Sequence, residues 1–287
     1  MAISHAVFLN GFMVAIAVVM FGLGLSLTTG DFTRALAHRR AIGVALLLQI
    51  LLLPTACYGL ALALRLPPIY ATGLMILAAA PGGITANLYT HLFCGEVALS
   101  ITLMAITAWT SMLILPLTAN LAIHLFAVGD QIVPIQARKM LEVMALVLIP
   151  VLLGMVVRVK SPTISRRTET PVKILGMIVL AVVVVLALVS EWRSLRASFS
   201  TIGFSVLGFN AIALLAGYFV SRYVAIDRPV ATAVCFQTAV RNTTIPLFVA
   251  INVLGNFEIA LPAALYSIVM HGSATLFGRV VLSTGNK

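Results

Sequence analysis

Charge is what this sequence has least of. Only 9% of its 287 residues are charged, and only eight are acidic. Soluble domains average about 25% charged residues, so a dissolved globular protein is excluded. Cysteine is scarce too. Cys57, Cys94 and Cys235 stand alone in or beside apolar segments, which excludes a disulfide framework and a thiolate metal site. Period-two alternation is missing from runs such as "ILGMIVLAVVVVLALV", and that excludes a transmembrane β-barrel. There is no acidic pair placed for catalysis, no HExxH and no GxSxG, so nothing marks an enzyme. The N-terminus lacks a basic region and a small-residue cleavage site, so Ile3–Leu27 reads as a retained first span.

What is present is apolar. Hydrophobic residues make up 61% of the chain and mean hydropathy is +1.13. Runs of about 20 apolar residues recur, the length a bilayer core requires of a helix. The reading is an all-α polytopic membrane protein with nine transmembrane helices, at 3–27, 41–64, 69–92, 97–126, 140–157, 171–190, 201–221, 230–253 and 259–283. Connectors such as "RVKSPTISRRTETP", "EWRSLR" and "AIDRP" separate them. Twelve Lys and Arg fall on the side of the C-terminus and five on the other. That bias predicts a cell-membrane protein with its N-terminus outside and its C-terminus in the cytoplasm. The net charge of +10 therefore belongs to helix ends facing lipid headgroups, and no nucleic-acid partner is expected.

Two spans, the third and the eighth, are interrupted. One carries "APGGITANLYTH", the other "QTAVRNTTIPL". Pro81 has no amide hydrogen to donate, and Gly82 and Gly83 weaken the helix around it. In lipid such unwinding leaves peptide groups unpaired, so it is tolerated only inside protein or around a cavity. Each interrupted span is the second-to-last of its half, and the two run in opposite directions. That is the pattern of inverted repeats with discontinuous helices crossing near the midplane. Arg241 lies deep in the second one, while every acidic residue sits at a span end or in a loop. A midplane charge costs at least about 3 kcal/mol, so it must face protein or water. Two roles fit: bonding the carbonyls freed by the break, or binding an anionic substrate. Elsewhere Gln49, Ser100, Thr102 and Asn210 read as helix–helix hydrogen-bonding or close-packing positions. His271 reads as a bonded neutral group or a titrating one.

With these residues in view, the chain resembles the bile acid:sodium symporter family. The resemblance rests on "MFGLGLSLTTGDF", "LLQILLLP", "APGGITANLYTHLFCGEVALS", "FNAIALLAGY" and "RNTTIPLFVA", in order over essentially the whole chain. It implies a single transporter domain over 1–287, in a nine-span version. A panel would comprise 3–27, 140–157 and 171–190, and a core 41–126 and 201–283. Between them a small organic anion, such as a bile acid, pantoate or a keto acid, would bind and cross by alternating access. Thr85, Asn242 and His271 would line its path, with Arg241 a further candidate contact.

The resemblance also implies two sodium sites, and this sequence departs from both. Of the first, Asn87 and Ser100 remain, but Ala86 and Met104 replace two oxygen ligands. Gln237 stands where the family carries a glutamate shared by both sites. Of the second, Gln49 and the backbone carbonyls of Thr238 and Val240 remain, and Arg241 replaces a glutamine. A guanidinium about 4 Å from a bound cation repels it by roughly 4 kcal/mol at an effective dielectric near 20, about a thousandfold in affinity. The expectation is an empty second site with Arg241 as a tethered surrogate cation, and a weakened first site. No other cofactor is expected. Transport without sodium, without protons, or through a passive channel remains the alternative.

Overall fold

A computed structural model describes residues 2–28, 30, 38–126, 137–190 and 192–282. The described residues form helices throughout: α1 (Ala2–Ser26), α2 (Arg39–Ala63), α3 (Pro68–Ala78), α4 (Ile84–Leu92), α5 (Val97–Phe126), α6 (Ala137–Lys160), α7 (Pro162–Ser190), α8 (Trp192–Tyr223), α9 (Arg228–Ala239), α10 (Thr244–Val253) and α11 (Phe257–Leu282). Among them α2, α5, α11 and the stretch Phe199–Tyr223 of α8 are long and apolar enough to cross a bilayer. Their outward faces carry Leu51, Leu117, Phe219 and Ile268, all exposed. In water such a surface would aggregate; in lipid it is solvated. The chain is a polytopic helical membrane protein.

Several connectors read as loops are helical. Within Arg158–Pro171 the helix is interrupted only at Ser161. Pro162 takes the first position of α7, where a missing amide hydrogen costs nothing. Pro171, expected to open a span, lies inside the same helix. "EWRSLR" is helical from Trp192 onward. The connecting segments Asp31–Ala37 and Ala127–Gln136, and Glu191, lie outside the described residues.

Two helix ends repeat each other 160 residues apart. At the end of α2, Leu66 N bonds Ala61 O and Arg65 N bonds Leu62 O; at the end of α8, Ile226 N bonds Ser221 O and Ala225 N bonds Arg222 O. Arg65 and Ala225 both take positive φ, at 49° and 59°. This is the Schellman arrangement, which satisfies carbonyls at a helix end. A proline-opened helix follows each: α3 after α2, α9 after α8.

Helices α1, α6 and α7 pack chiefly on one another, and the remaining helices surround α3, α4, α9 and α10. Gly24 and Gly154 bring α1 and α6 together. A Cβ at Gly24 would lie 2.1 Å from Val151 O, and one at Gly154 2.4 Å from Phe21 O, so only glycine permits this approach. Ser165 of α7 donates to Leu25 O at 2.9 Å and ties the third member to the end of α1.

Candidate functional site

The site begins with two broken helices. Helix α3 ends at Ala78 and α4 starts at Ile84; α9 ends at Ala239 and α10 starts at Thr244. The breaks cross antiparallel, with Gly82 opposite Arg241. Gly83 N donates to Val240 O at 2.8 Å, and Asn242 N donates to Pro81 O at 2.9 Å. Two strand-like bonds thus replace part of the helical ladder that each break interrupts.

The other freed carbonyls also find donors. Arg241 Nε donates to Thr238 O at 3.1 Å and its Nη1 donates to Ala80 O. Asn210 Nδ2 of α8, at 3.1 Å, and the Tyr266 hydroxyl of α11 both donate to Ala239 O. Gly82 N donates to Thr107 Oγ1 of α5 at 3.3 Å. So Ala80, Pro81, Thr238, Ala239 and Val240 all have their carbonyls bonded. This matters because an unpaired peptide group away from water costs several kcal/mol.

Arg241 is 2% exposed and is among the largest fully buried side chains. Its guanidinium lies 6.0 Å from the centroid of the Phe209 ring, within the range of a cation–π contact. The carbonyls it bonds belong to the C-terminal ends of α3 and α9. Those ends carry the negative pole of each helix, which is a favourable setting for a cation.

Beside the crossing sits a buried polar cluster. Gln237 Nε2 donates to Asn87 Oδ1 and to Ser100 Oγ, both at 2.8 Å. Ser100 Oγ donates to Asn87 Oδ1 at 2.7 Å. Thr90 Oγ1 bonds Ala86 O at 2.8 Å and lies 3.1 Å from Ser100 Oγ. Asn87 Nδ2 meets the sulfur of Met104 at 3.7 Å. The amide hydrogens of Gln237 therefore point into the space between two oxygens. A hard cation wants oxygen lone pairs there, not hydrogens. Gly82 makes room for this side chain, since a Cβ would lie 1.9 Å from Gln237 Oε1.

The remaining expected residues divide. Asn87, Ser100 and Gln237 meet in one cluster, and Thr238 O meets Arg241. Val240 O is taken by Gly83. Gln49, in a π-helical turn at Leu48–Leu52, donates through Nε2 to Ser111 Oγ of α5 at 2.7 Å. Thr85 and Asn242 are half-buried at the starts of α4 and α10, and Asn242 Oδ1 accepts from Thr244 N at 3.1 Å. His271 of α11 stacks on Tyr89, with ring centroids 5.9 Å apart and Nδ1 3.3 Å from the Tyr89 hydroxyl. Tyr89 lies one turn along α4 from Thr85.

Sequence reasoning missed Thr90, Thr107, Tyr89 and Tyr266. Thr90 carried a usable signal, because it follows Asn87 by three and so shares its helix face. The other three act across long sequence separations and carried none.

A small open cleft, with a cavity volume of about 20 Å³, lies next to the crossing. Ala108, Ser111, Met112, Leu115 and Pro116 of α5 form one wall, Val147 of α6 another, and Ile245 of α10 the third. It therefore sits on the seam between the α1–α6–α7 group and the helices around the crossing.

The model of the Sodium Bile acid symporter family matches residues 13–198. The rice (Oryza sativa subsp. japonica) protein named "Probable sodium/metabolite cotransporter BASS1, chloroplastic" is 26% identical over 257 residues, covering 89% of this chain and 62% of that protein. Its Arabidopsis thaliana namesake is 25% identical over 261 residues, 90% of this chain and 63% of that protein. The Bacillus subtilis "Uncharacterized sodium-dependent transporter YocS" is 26% identical over 258 residues, 88% of this chain and 77% of that protein. The chain thus spans a little over three-fifths of the length of the plant relatives it matches.

Proposed function

This chain belongs to the sodium bile acid symporter family, whose members are transporters rather than enzymes, and from that premise we propose that it is a secondary carrier of small organic anions. The observation that carries the reading is the antiparallel crossing of two interrupted helices at Gly82 and Arg241. A membrane protein tolerates broken backbone at this depth only around a cavity or inside protein, and the start of a half-helix is a ready anion site.

Helices α4 and α10 both start at the crossing. Their N-terminal poles favour a carboxylate or sulfonate, with Thr85 and Asn242 supplying side-chain contacts and His271 of α11, stacked on Tyr89 one turn further along α4, a third. Arg241 supports the site from behind by bonding carbonyls; its near-complete burial speaks against direct contact with substrate. The apolar wall formed by Met112, Leu115 and Ile245 suits the carbon skeleton of the anion. Counting α3 with α4 and α9 with α10 as single crossings gives nine spans. The matched ends of α2 and α8 support the inverted repeat. The mutual packing of α1, α6 and α7 supports a panel that moves against a core of the other helices. The excess of Lys and Arg on the C-terminal side supports a cytoplasmic C-terminus in the cell membrane.

The relatives' names include sodium, but the residues here do not suit it. At the first position the amide hydrogens of Gln237 face Asn87 and Ser100, and Met104 offers sulfur. At the second, a guanidinium bonds Thr238 O, and Gln49 is turned to Ser111. We read both cation positions as replaced by the chain's own N–H donors.

The test is a thermal-shift screen of the purified chain against carboxylates and sulfonates, with sodium exchanged for choline. A ligand that binds the folded state raises its stability by mass action. A reproducible shift with organic anions, equal in both salts, is expected. A shift that requires sodium would sink the reading of the cation positions, and no shift with any anion would sink the carrier reading.

A further inference from the structure

Arg241 brings a fixed positive charge into the part of the protein that binds substrate, and nothing acidic in the described residues stands near it. Glu96, Asp227 and Glu258 lie at the ends of α5, α9 and α11, and Glu142 lies in the first turns of α6. The partners of Arg241 are neutral: Thr238 O, Ala80 O and the Phe209 ring. The carbonyl poles of α3 and α9 solvate the charge, but each helix carries its positive pole at its other end, so the dipoles do not cancel it. The empty substrate site therefore moves with a net charge of about +1 whenever it changes sides.

We infer that this carrier exchanges one organic monoanion for another and does not catalyse net flux. The inference rests on the carrier reading given above. A sodium-coupled carrier brings its countercharge with each cycle and leaves it behind. Here the countercharge is covalent. With a monoanion bound beside Asn242, the moving part is neutral and crosses readily. With the site empty, an uncompensated net positive charge must be carried through low dielectric, which is unfavourable. The return step is then fast only when another anion is bound. The same argument fixes the voltage response. A potential of about 100 mV acting on one elementary charge changes an equilibrium about fifty-fold, whereas exchanging one monoanion for another moves no net charge.

The experiment uses the full chain reconstituted in phospholipid vesicles, with radiolabelled pyruvate, pantoate and taurocholate as probes. For the transported probe, uptake into vesicles preloaded with the same unlabelled anion should exceed uptake into empty vesicles by at least about tenfold. That uptake should be unchanged by an imposed potassium diffusion potential and by replacing sodium with choline. Equal uptake into loaded and empty vesicles overturns the exchange inference and leaves the carrier reading standing. So does accumulation driven by a sodium gradient. Absence of uptake of all three probes in both modes, with no thermal shift by any of them, overturns the carrier reading itself. Arg241→Gln removes the charge and should bring the loaded-to-empty ratio towards one, while Arg241→Lys keeps it high. The wild-type ratio and its voltage independence decide the matter whether or not Arg241→Gln folds.

Discussion

The side-chain amide of Gln237 donates to Asn87 Oδ1 across 2.8 Å, joining the last turn of α9 to the middle of α4. The same nitrogen holds Ser100 of α5, so one amide group links three helices around the crossing. A carboxylate at this position would have no hydrogens to give.

Gln237→Glu alone should therefore destabilise the protein. The variant replaces two donated bonds with a carboxylate facing Asn87 Oδ1, and losing buried bonds of this kind costs about 1–3 kcal/mol. Sodium should restore little of it, because Arg241 still holds the neighbouring position. Thermal unfolding in detergent, with sodium against choline, measures both effects. An unchanged unfolding temperature would show that the amide bonds contribute nothing.

The pair Gln237→Glu with Arg241→Gln should behave differently. It returns a negative charge and an amide to the two positions and removes the repelling guanidinium. Sodium should then raise the unfolding temperature and stimulate uptake, with no comparable effect of choline. Indifference to sodium would mean that other replacements, Met104 foremost, are enough to keep the ion out.

Gly82→Ala should be severe. Its Cβ would lie 1.9 Å from Gln237 Oε1 and 2.9 Å from Gln237 O, and the latter is backbone that cannot swing away. Overpacking of a tight interior costs about 1–3 kcal/mol or more. Gly272→Ala on the exposed face of α11 is the control, because a Cβ there meets nothing within 4 Å. Loss of folded protein or of uptake is expected only for Gly82→Ala. Equal yields and unfolding temperatures would contradict the crossing geometry.

Thr85→Val keeps the shape of a half-buried side chain at the start of α4 and removes its hydroxyl. If that hydroxyl touches the substrate, the apparent affinity for the transported anion should fall about five- to tenfold, the effect of one lost neutral hydrogen bond. The unfolding temperature without ligand should stay the same. A fall in stability with unchanged affinity would assign Thr85 to the helix start alone.

The two breaks were legible because their local chemistry is loud. Pro81, Gly82 and Gly83 cannot sustain a helix, and no run of apolar residues hides Gln237, Arg241 and Asn242. Pro171 misled, since a proline in sequence looks like a boundary, yet here α7 runs through it. Arg241 left two roles open in sequence because its partners are backbone carbonyls, which every residue has. What could not be read was the buttressing of the breaks. Asn210 and Tyr266 meet Ala239 from helices α8 and α11, and no periodicity within one helix reports a contact made between three.

That buttress gives the last prediction. Ala239 O accepts from both the Asn210 amide and the Tyr266 hydroxyl, and Asn210 Nδ2 also lies 2.8 Å from that hydroxyl. Tyr266→Phe leaves the carbonyl with one donor, and so does Asn210→Leu. Each should cost about 1 kcal/mol through the lost bond. The double variant leaves a buried carbonyl with neither donor, at a break where no helical amide can reach it. Its loss should exceed the sum of the singles by about 1–2 kcal/mol, as residues sharing one partner couple. A double-mutant cycle on unfolding free energy or temperature measures this directly. Strict additivity would mean that water or a backbone shift satisfies Ala239 in their place, and that neither side chain holds the break.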